Sequence, residues 1–287
     1  MRIIKRRKGR AEYFYLQHSF RENGKVITKE KYLGKIIPKN IEAIKEKFQL
    51  ESQKNLYGKL ERIKEKFQEE WRKCPESARG KEMEEIAIVF TYNTNAIEGS
   101  TITLEEAREI IHDKVAPNKS LKDIRETESH AKVFLSMLTK KEKISNELLL
   151  IWHKELFGGT KPDIAGKFRN YRVRVGNYIA PDWQDIAKLM NEFIKFVNKD
   201  GLNPVELAGR THFRFEKIHP FGDGNGRIGR LIMNYILWHN GYPMVIIEYK
   251  KRKLYYKALQ KVEEGFLSYF IRRYIRIHKK HLYKSGR

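Results

Sequence analysis

From Pro38 almost to the C-terminus, apolar residues return at helical spacing, and that period constrains the architecture before any single motif does. Ile41, Ile44 and Phe48, then Leu56, Leu60, Ile63 and Phe67, recur mostly three or four positions apart in a charged background, as expected of helices that bury one face. Pro75 and Gly80 punctuate the chain before a second helix over about 81–95, whose apolar residues include Met83, Ile86, Ile88, Val89 and Phe90. Thr103-Leu-Glu-Glu106 has the form of a capping box. Ser120 and Ser145 stand where N-caps belong, ahead of helices ending near Lys141 and Phe157. Helical spacing resumes over 183–199, 204–217 and 228–240, and again from about Arg252 and Leu267.

Two stretches break the period. Over 11–35, Glu12-Tyr13-Phe14-Tyr15-Leu16 and Val26-Ile27-Thr28 flank Asn23-Gly24, a favoured pair for a tight turn, which predicts a small N-terminal β-hairpin. Between Gly166 and Pro181, Arg172-Val173-Arg174-Val175 followed by Gly176-Asn177-Tyr178 predicts a second hairpin, a flap set into the helical body. The expected fold is therefore mainly α. Its parts are a basic hairpin over 1–37, a helical linker region over 38–80, a core over 81–265 that opens with a helix over 81–99, and a basic C-terminal helix over 266–287.

The formal charge of +23 is concentrated at the ends: 14 basic against 5 acidic residues in the first 50, and 13 against 3 over 248–287. Such ends suit nucleic acid, a membrane surface, an acidic protein, or simply a solvated surface. Cys74 is the sole cysteine, which excludes an intrachain disulfide and a thiolate zinc site. No apolar run approaches the roughly 18 residues of a bilayer span, and the N-terminus lacks a signal-peptide pattern. A cytoplasmic protein with no membrane partner is the expectation.

The chemistry is concentrated in His219-Pro-Phe-Gly-Asp-Gly-Asn-Gly-Arg-Ile-Gly-Arg230. Gly224 and Gly226 let backbone N–H groups approach an anion, and a helix beginning near Asn225 aims its positive end at the same place. Asp223 could neutralise a divalent cation, normally magnesium where nucleotide phosphates are bridged. Arg227 and Arg230 share a helical face and can fork onto phosphate oxygens. His219, near neutral pKa, suits the removal of a hydroxyl proton.

This segment matches the fixed positions of the Fic signature, His-x-Phe-x-Asp/Glu-Gly-Asn-Gly-Arg-x-x-Arg, and the resemblance extends over roughly 85–265, including His153, Gly166-Lys-Phe-Arg169 and Phe213-Arg-Phe215. It implies a Fic-type helical fold and transfer of AMP from ATP with Mg²⁺, for which Mn²⁺ could substitute, to a Ser, Thr or Tyr hydroxyl. By resemblance His219 is the base, with Asn225 and Arg227 as further catalytic residues, and Asp223 holds the metal. The nucleotide is contacted by Phe221, Gly222, Gly224, Asn225, Gly226, Arg227, Arg230 and, on a later helix, Tyr255 and Tyr256; Phe221 also anchors the loop. Thr94-Asn-Ala-Ile-Glu98-Gly99 resembles the family's inhibitory sequence in its N-terminal placement, which implies that Glu98 pairs with Arg230 and holds it from the γ-phosphate, and that the same glutamate serves deAMPylation. The flap, Arg172 to Tyr178, is implied to dock a target protein that presents its hydroxyl on an extended segment. A homodimer and nucleic acid bound through the basic ends are further partners considered. The alternatives left open are a nucleic-acid-binding adaptor whose core senses nucleotide, and a transferase with another donor.

Overall fold

The computed structural model describes residues 1–9, 11–22 and 25–282; the Asn23-Gly24 turn lies outside them. The chain divides into two compact units, Met1–Glu61 and Arg62–Arg287.

The first unit opens with an antiparallel meander of β1 (Arg2–Lys8), β2 (Ala11–Glu22) and β3 (Lys25–Gly34), in that order. β2 and β3 are the expected hairpin. β1 adds a strand that the sequence conceals, because five of its seven residues are basic and its two isoleucines are adjacent. Cross-strand ion pairs compensate: Lys5 and Arg7 reach Glu12, and Arg6 reaches Glu30. Leu16 is fully buried while Tyr32 is exposed, so the sheet has one packed and one open face.

α1 (Ile41–Lys73) is a single helix of 33 residues, and the division between the units falls within it. It ends beside Cys74, where Arg79 donates to the carbonyls of Cys74 at 2.8 Å and Arg72 at 2.9 Å, satisfying groups that a helix end leaves free. α2 (Glu76–Ile97) starts directly after Pro75 and runs through Gly80. The expected start near residue 81 is thus five residues late, since Gly80 sits in open space and a single glycine only weakens a helix.

α3 (Leu104–Arg108) carries both halves of the capping box, with Glu106 N–H on Thr103 and Thr103 N–H on Glu106, and continues into a π turn at Glu109–Asp113. α4 (Leu121–Thr139) and α5 (Asn146–Phe157) are capped by Ser120 and Ser145. The flap follows as β4 (Arg174–Val175) and β5 (Tyr178–Ile179), then α6 (Ile186–Val197), α7 (Pro204–Ile218), α8 (Asn225–His239), α9 (Arg252–Leu259) and α10 (Glu263–Ile277). The C-terminal helix expected over 266–287 is α10, which begins three residues earlier and gives way to a 3-10 turn at Lys279–Leu282. Among the described residues no helix is long and apolar enough to cross a membrane.

α8 is the axis of the second unit: Ile228, Leu231, Ile232, Met233 and Leu237 are fully buried, and even its polar Asn225, Arg227, Arg230 and Asn234 are covered. A helix apolar on most sides has to be surrounded. α2 and α4 are held together by Phe90 stacked on Phe134, ring centroids 4.6 Å apart, and Phe193 of α6 meets Phe215 of α7 at 5.5 Å. Phe134→Ala is expected to cost about 3–5 kcal/mol, read as a lower urea midpoint with an unchanged denaturant slope.

Candidate active site

The segment from His219 to Gly224 joins α7 to α8. His219 closes α7 in the left-handed region, with φ 52°, its N–H on the carbonyl of Phe215 at 2.9 Å. This non-glycine residue at positive φ is held there by its surroundings. Arg169 is buried and donates to the carbonyls of His219 at 2.8 Å, Tyr171 at 2.8 Å and Pro181 at 2.7 Å, while its own N–H reaches Pro220 at 2.9 Å. One guanidinium therefore clamps the loop to both ends of the flap segment.

Phe221 has no exposed surface and lies flat against His153, centroids 3.9 Å apart and planes 9° apart. His153 accepts from Gly166 N–H at Nδ1, 2.9 Å, so Nε2 carries the proton and donates to the carbonyl of Asp223 at 3.0 Å. Burial pushes this imidazole down to about 4, which keeps it neutral in that role. Asn225 completes the loop: its side chain accepts from Phe221 N–H and donates to Phe221 C=O, both at 2.8 Å. Gly222 lies against Tyr171, whose hydroxyl would be 2.0 Å from an added Cβ. Gly224, at φ 79°, precedes α8 where any Cβ would stand 2.3 Å from Phe157. The first N–H groups of α8 have no partners within the helix, an arrangement that favours an anion.

Asp223 is partly exposed, and its carboxylate takes Lys161 Nζ at 2.5 Å, Gly224 N–H at 2.5 Å and Arg227 at 3.5 Å. Burial opposes ionisation, but Lys161 and Arg227 outweigh it and hold the group at about 2. Arg227 is buried, pairs with Glu126 of α4, and lies over the Phe157 ring, while its Nε meets no hydrogen-bond partner. Glu126 also takes Lys161 at 3.0 Å and Thr160 at 3.2 Å. Arg230, 2% exposed, donates to Glu98 at 2.5 Å and to the Thr94 hydroxyl at 2.5 Å. Glu98 follows the last residue of α2, and Gly99 at φ 96° turns the chain away. The Glu98 carboxylate overhangs Gly226 so closely that a Cβ there would lie 2.2 Å from it. It thus stands over the first turn of α8, beside the anion-favouring N–H groups.

Burial lowers the His219 imidazole below its ordinary value, so it is neutral at pH 7 and able to accept a proton. One turn back, burial raises the Glu216 carboxyl to about 7 despite the attraction of Arg230. The two tyrosines separate. Tyr255 is 1% exposed with its hydroxyl 2.8 Å from His212, which makes it a packed ring in this structure. Tyr256 is exposed, its hydroxyl on the carbonyl of Ile97 beside Glu98.

The flap is a two-residue ladder turned at Gly176, φ 58°, and Asn177. Val173 accepts from Ala180 N–H, Arg172 reaches Asp182 at 3.4 Å, Arg174 pairs with Ile179, and Val175 is exposed. Tyr178 tethers the flap to α7 by donating to the carbonyl of Lys217 at 2.7 Å.

The signature residues, Thr94 and Glu98 are brought together; Glu126, Lys161 and Glu216 were missed. Glu126 carried a signal, because Glu126 and His130 are one turn apart on a helix face otherwise filled by Ala131, Val133 and Phe134. Lys161 carried none.

Residues 143–237 match the Fic/DOC family. The chain contains a Fic domain. Among curated proteins, the protein adenylyltransferase Fic of Nematostella vectensis is 36% identical over 200 residues, 67% of this chain and 47% of that one. Its Drosophila ananassae counterpart is 36% identical over 188 residues, 63% of this chain and 38% of that one. The chain thus spans less than half the length of these relatives. Fic-1 from C. elegans superposes with a TM-score of 0.68 at 25% identity, covering 85% of this chain and 78% of that structure. A Fic domain containing signaling protein from Bacteroides thetaiotaomicron superposes at 0.65 and 22% identity, covering 81% and 99%, and shares the fold.

Two outcomes follow for this Fic domain. Arg169→Lys cannot keep all three fork contacts, so amide exchange over 172–180 is expected to speed at least about tenfold while α8 keeps its protection. The second concerns pH. Burial holds His153 at about 4, His212 at about 3, His278 at about 3 and His130 well below its ordinary value. Below pH 6.5 the unfolded chain therefore binds more protons than the folded one, and stability falls by at most about 1.4 kcal/mol per histidine per pH unit. Glu216, raised to about 7, works in the opposite direction but is a single group. The urea midpoint should drop steadily from pH 7 to pH 5; a flat profile would contradict the buried neutral histidines.

Proposed function

We propose that this chain transfers AMP from Mg-ATP to a Ser, Thr or Tyr hydroxyl of a target protein, and that Glu98 restrains the reaction. The observation that carries the reading is the Glu98 carboxylate seated on Arg230 above Gly226, at the mouth of a loop whose histidine is kept neutral. The printed name of the curated relatives, protein adenylyltransferase, supports the reaction class.

In this mechanism the neutral His219 takes the hydroxyl proton as the oxygen attacks the α-phosphorus. A new oxygen–phosphorus bond forms, the bond to the β-phosphate's bridging oxygen breaks, and pyrophosphate leaves with its electron pair. Transfer of this kind depends mainly on position and charge. The N–H groups at the start of α8 and Arg227 bind phosphate oxygens, and Arg230 does so once Glu98 withdraws. The unpartnered Nε of the buried Arg227 fits that role.

Asp223, ionised and partly exposed, fits Mg²⁺, which typically takes one or two carboxylates and completes its shell with phosphates and water. When bound, the ion would neutralise phosphate charge, and Lys161 would release Asp223 to it. The target segment would lie along the flap, where backbone pairing makes little demand on sequence. In the reverse direction, Glu98 would orient a water whose oxygen attacks the phosphorus of the AMP-modified side chain, so that the phosphorus–oxygen bond to the side chain breaks, AMP leaves and the side-chain oxygen regains a proton.

Wild type, Glu98→Gly and Glu98→Gly/His219→Ala incubated with α-labelled ATP and Mg²⁺ should differ sharply. Glu98→Gly is expected to label protein strongly, wild type weakly, and the double variant at least about 100-fold less than Glu98→Gly. Equal labelling by wild type and Glu98→Gly would remove the restraint, and labelling by the double variant would remove the base. Glu98→Gly should also lose any release of AMP from modified protein.

A further inference from the structure

The open face of the N-terminal sheet takes no part in that chemistry. Strand alternation and register place Arg2, Arg6 and Lys8 of β1 on the same face as Tyr13 and Tyr15 of β2 and Tyr32 of β3, opposite the side marked by the buried Leu16. The three rings form one cluster: Tyr32 lies 5.3 Å from Tyr15 and 6.1 Å from Tyr13, and is 55% exposed. The Arg6 guanidinium stands 5.1 Å from the Tyr15 centroid.

The charges around the rings are poised for exchange. Glu30 is the acidic residue of this face, taking Arg6 at 2.7 Å and Gln17 at 2.8 Å, while Arg2 donates to Gln17 at 2.6 Å. All of these contacts are exposed, where such pairs are worth little and are readily replaced by another anion. Residues 1–37 hold 11 basic and 3 acidic side chains, so the unit as a whole attracts polyanions. An acidic protein would satisfy the charges without needing the rings, and duplex nucleic acid hides its base faces in the stack. An exposed Tyr32 beside the half-buried Tyr13 and Tyr15, on a sheet within a basic frame, matches unstacked bases.

We propose that this face binds single-stranded nucleic acid without marked sequence preference, bases stacking on Tyr13, Tyr15 and Tyr32 and phosphates meeting Arg2, Arg6 and Lys8. The test uses the full chain and fluorescein-labelled oligo-dT and oligo-U of about 16 bases, followed by anisotropy. Tyr15→Ala/Tyr32→Ala is expected to weaken binding at least about tenfold, whereas Tyr15→Phe/Tyr32→Phe, which keeps the ring faces and checks folding, should stay within about twofold. Raising salt from about 50 mM to about 200 mM should weaken binding about 20-fold if three phosphates are neutralised. The proposal is overturned if neither oligonucleotide binds at low salt, if the alanine and phenylalanine pairs behave alike, or if the matching duplex binds as tightly. Competition by polyglutamate as effective as that by unlabelled oligo-dT would also overturn it and assign the face to an acidic protein.

Discussion

Two arginines at the start of a buried helix impose the strongest constraint on this molecule. Arg227 and Arg230 occupy the first two turns of α8, 5% and 2% exposed, inside a core of isoleucine, leucine and methionine. A buried guanidinium without a counter-charge is costly enough to threaten the fold. Each therefore has a carboxylate brought from far along the chain, Glu126 from α4 for Arg227 and Glu98 from the end of α2 for Arg230. The packing of α2 on α4 through Phe90 and Phe134 helps place both acids. Gly99 then turns the chain away as soon as Glu98 has been delivered.

The loop ahead of α8 meets the opposite demand, to be rigid while leaving donors exposed. Its anchoring is done from behind: Phe221 against His153, Asn225 closing both peptide groups of Phe221, and Arg169 holding the carbonyl of His219. Those contacts fix the loop without using the first N–H groups of α8; Asp223 accepts from Gly224 N–H, just ahead of the helix. The glycines complete the arrangement through contact. Phe157 presses on Gly224 and the Glu98–Arg230 pair presses on Gly226, so a side chain at either would displace part of the site.

The helical body was legible because its apolar period is long and its caps are explicit: Thr103, Ser120 and Ser145 each cap the helix they announce. The loop ahead of α8 was legible because His219 to Arg230 compresses so many special residues into one segment. Thr94 and Glu98 stood out only through the resemblance of Thr94-Asn-Ala-Ile-Glu98-Gly99 to the family's inhibitory sequence, since spacing alone does not place them against Arg230. What failed did so where tertiary context decides. β1 was hidden by its charge, since its partners lie on other strands. Gly80 suggested a break in a helix that tolerates it. Tyr255 and Tyr256 are neighbours in sequence, yet only the depth of α9 in the core separates a packed ring from an accessible one. Lys161 is joined to Glu126 and Asp223 by contacts 35 and 62 residues away, which no local pattern encodes.

The two carboxylates that neutralise α8 are not equivalent, and the difference bears on what the site can do. Glu126 has 9% of its side chain exposed and is held by Arg227, Lys161 and Thr160. Removing it would leave Lys161 and Arg227 to share the partly exposed Asp223, so it belongs to the fixed framework. Glu98 has 28% of its side chain exposed and ends a helix with Arg230 as its one ion-pair partner among the described residues. In the function proposed above, it would turn toward water and an incoming phosphate would take its place on Arg230 without leaving that guanidinium unpaired. The charge balance of the core is kept in either arrangement, which is the condition for a buried arginine to change partners without unfolding the helix that carries it.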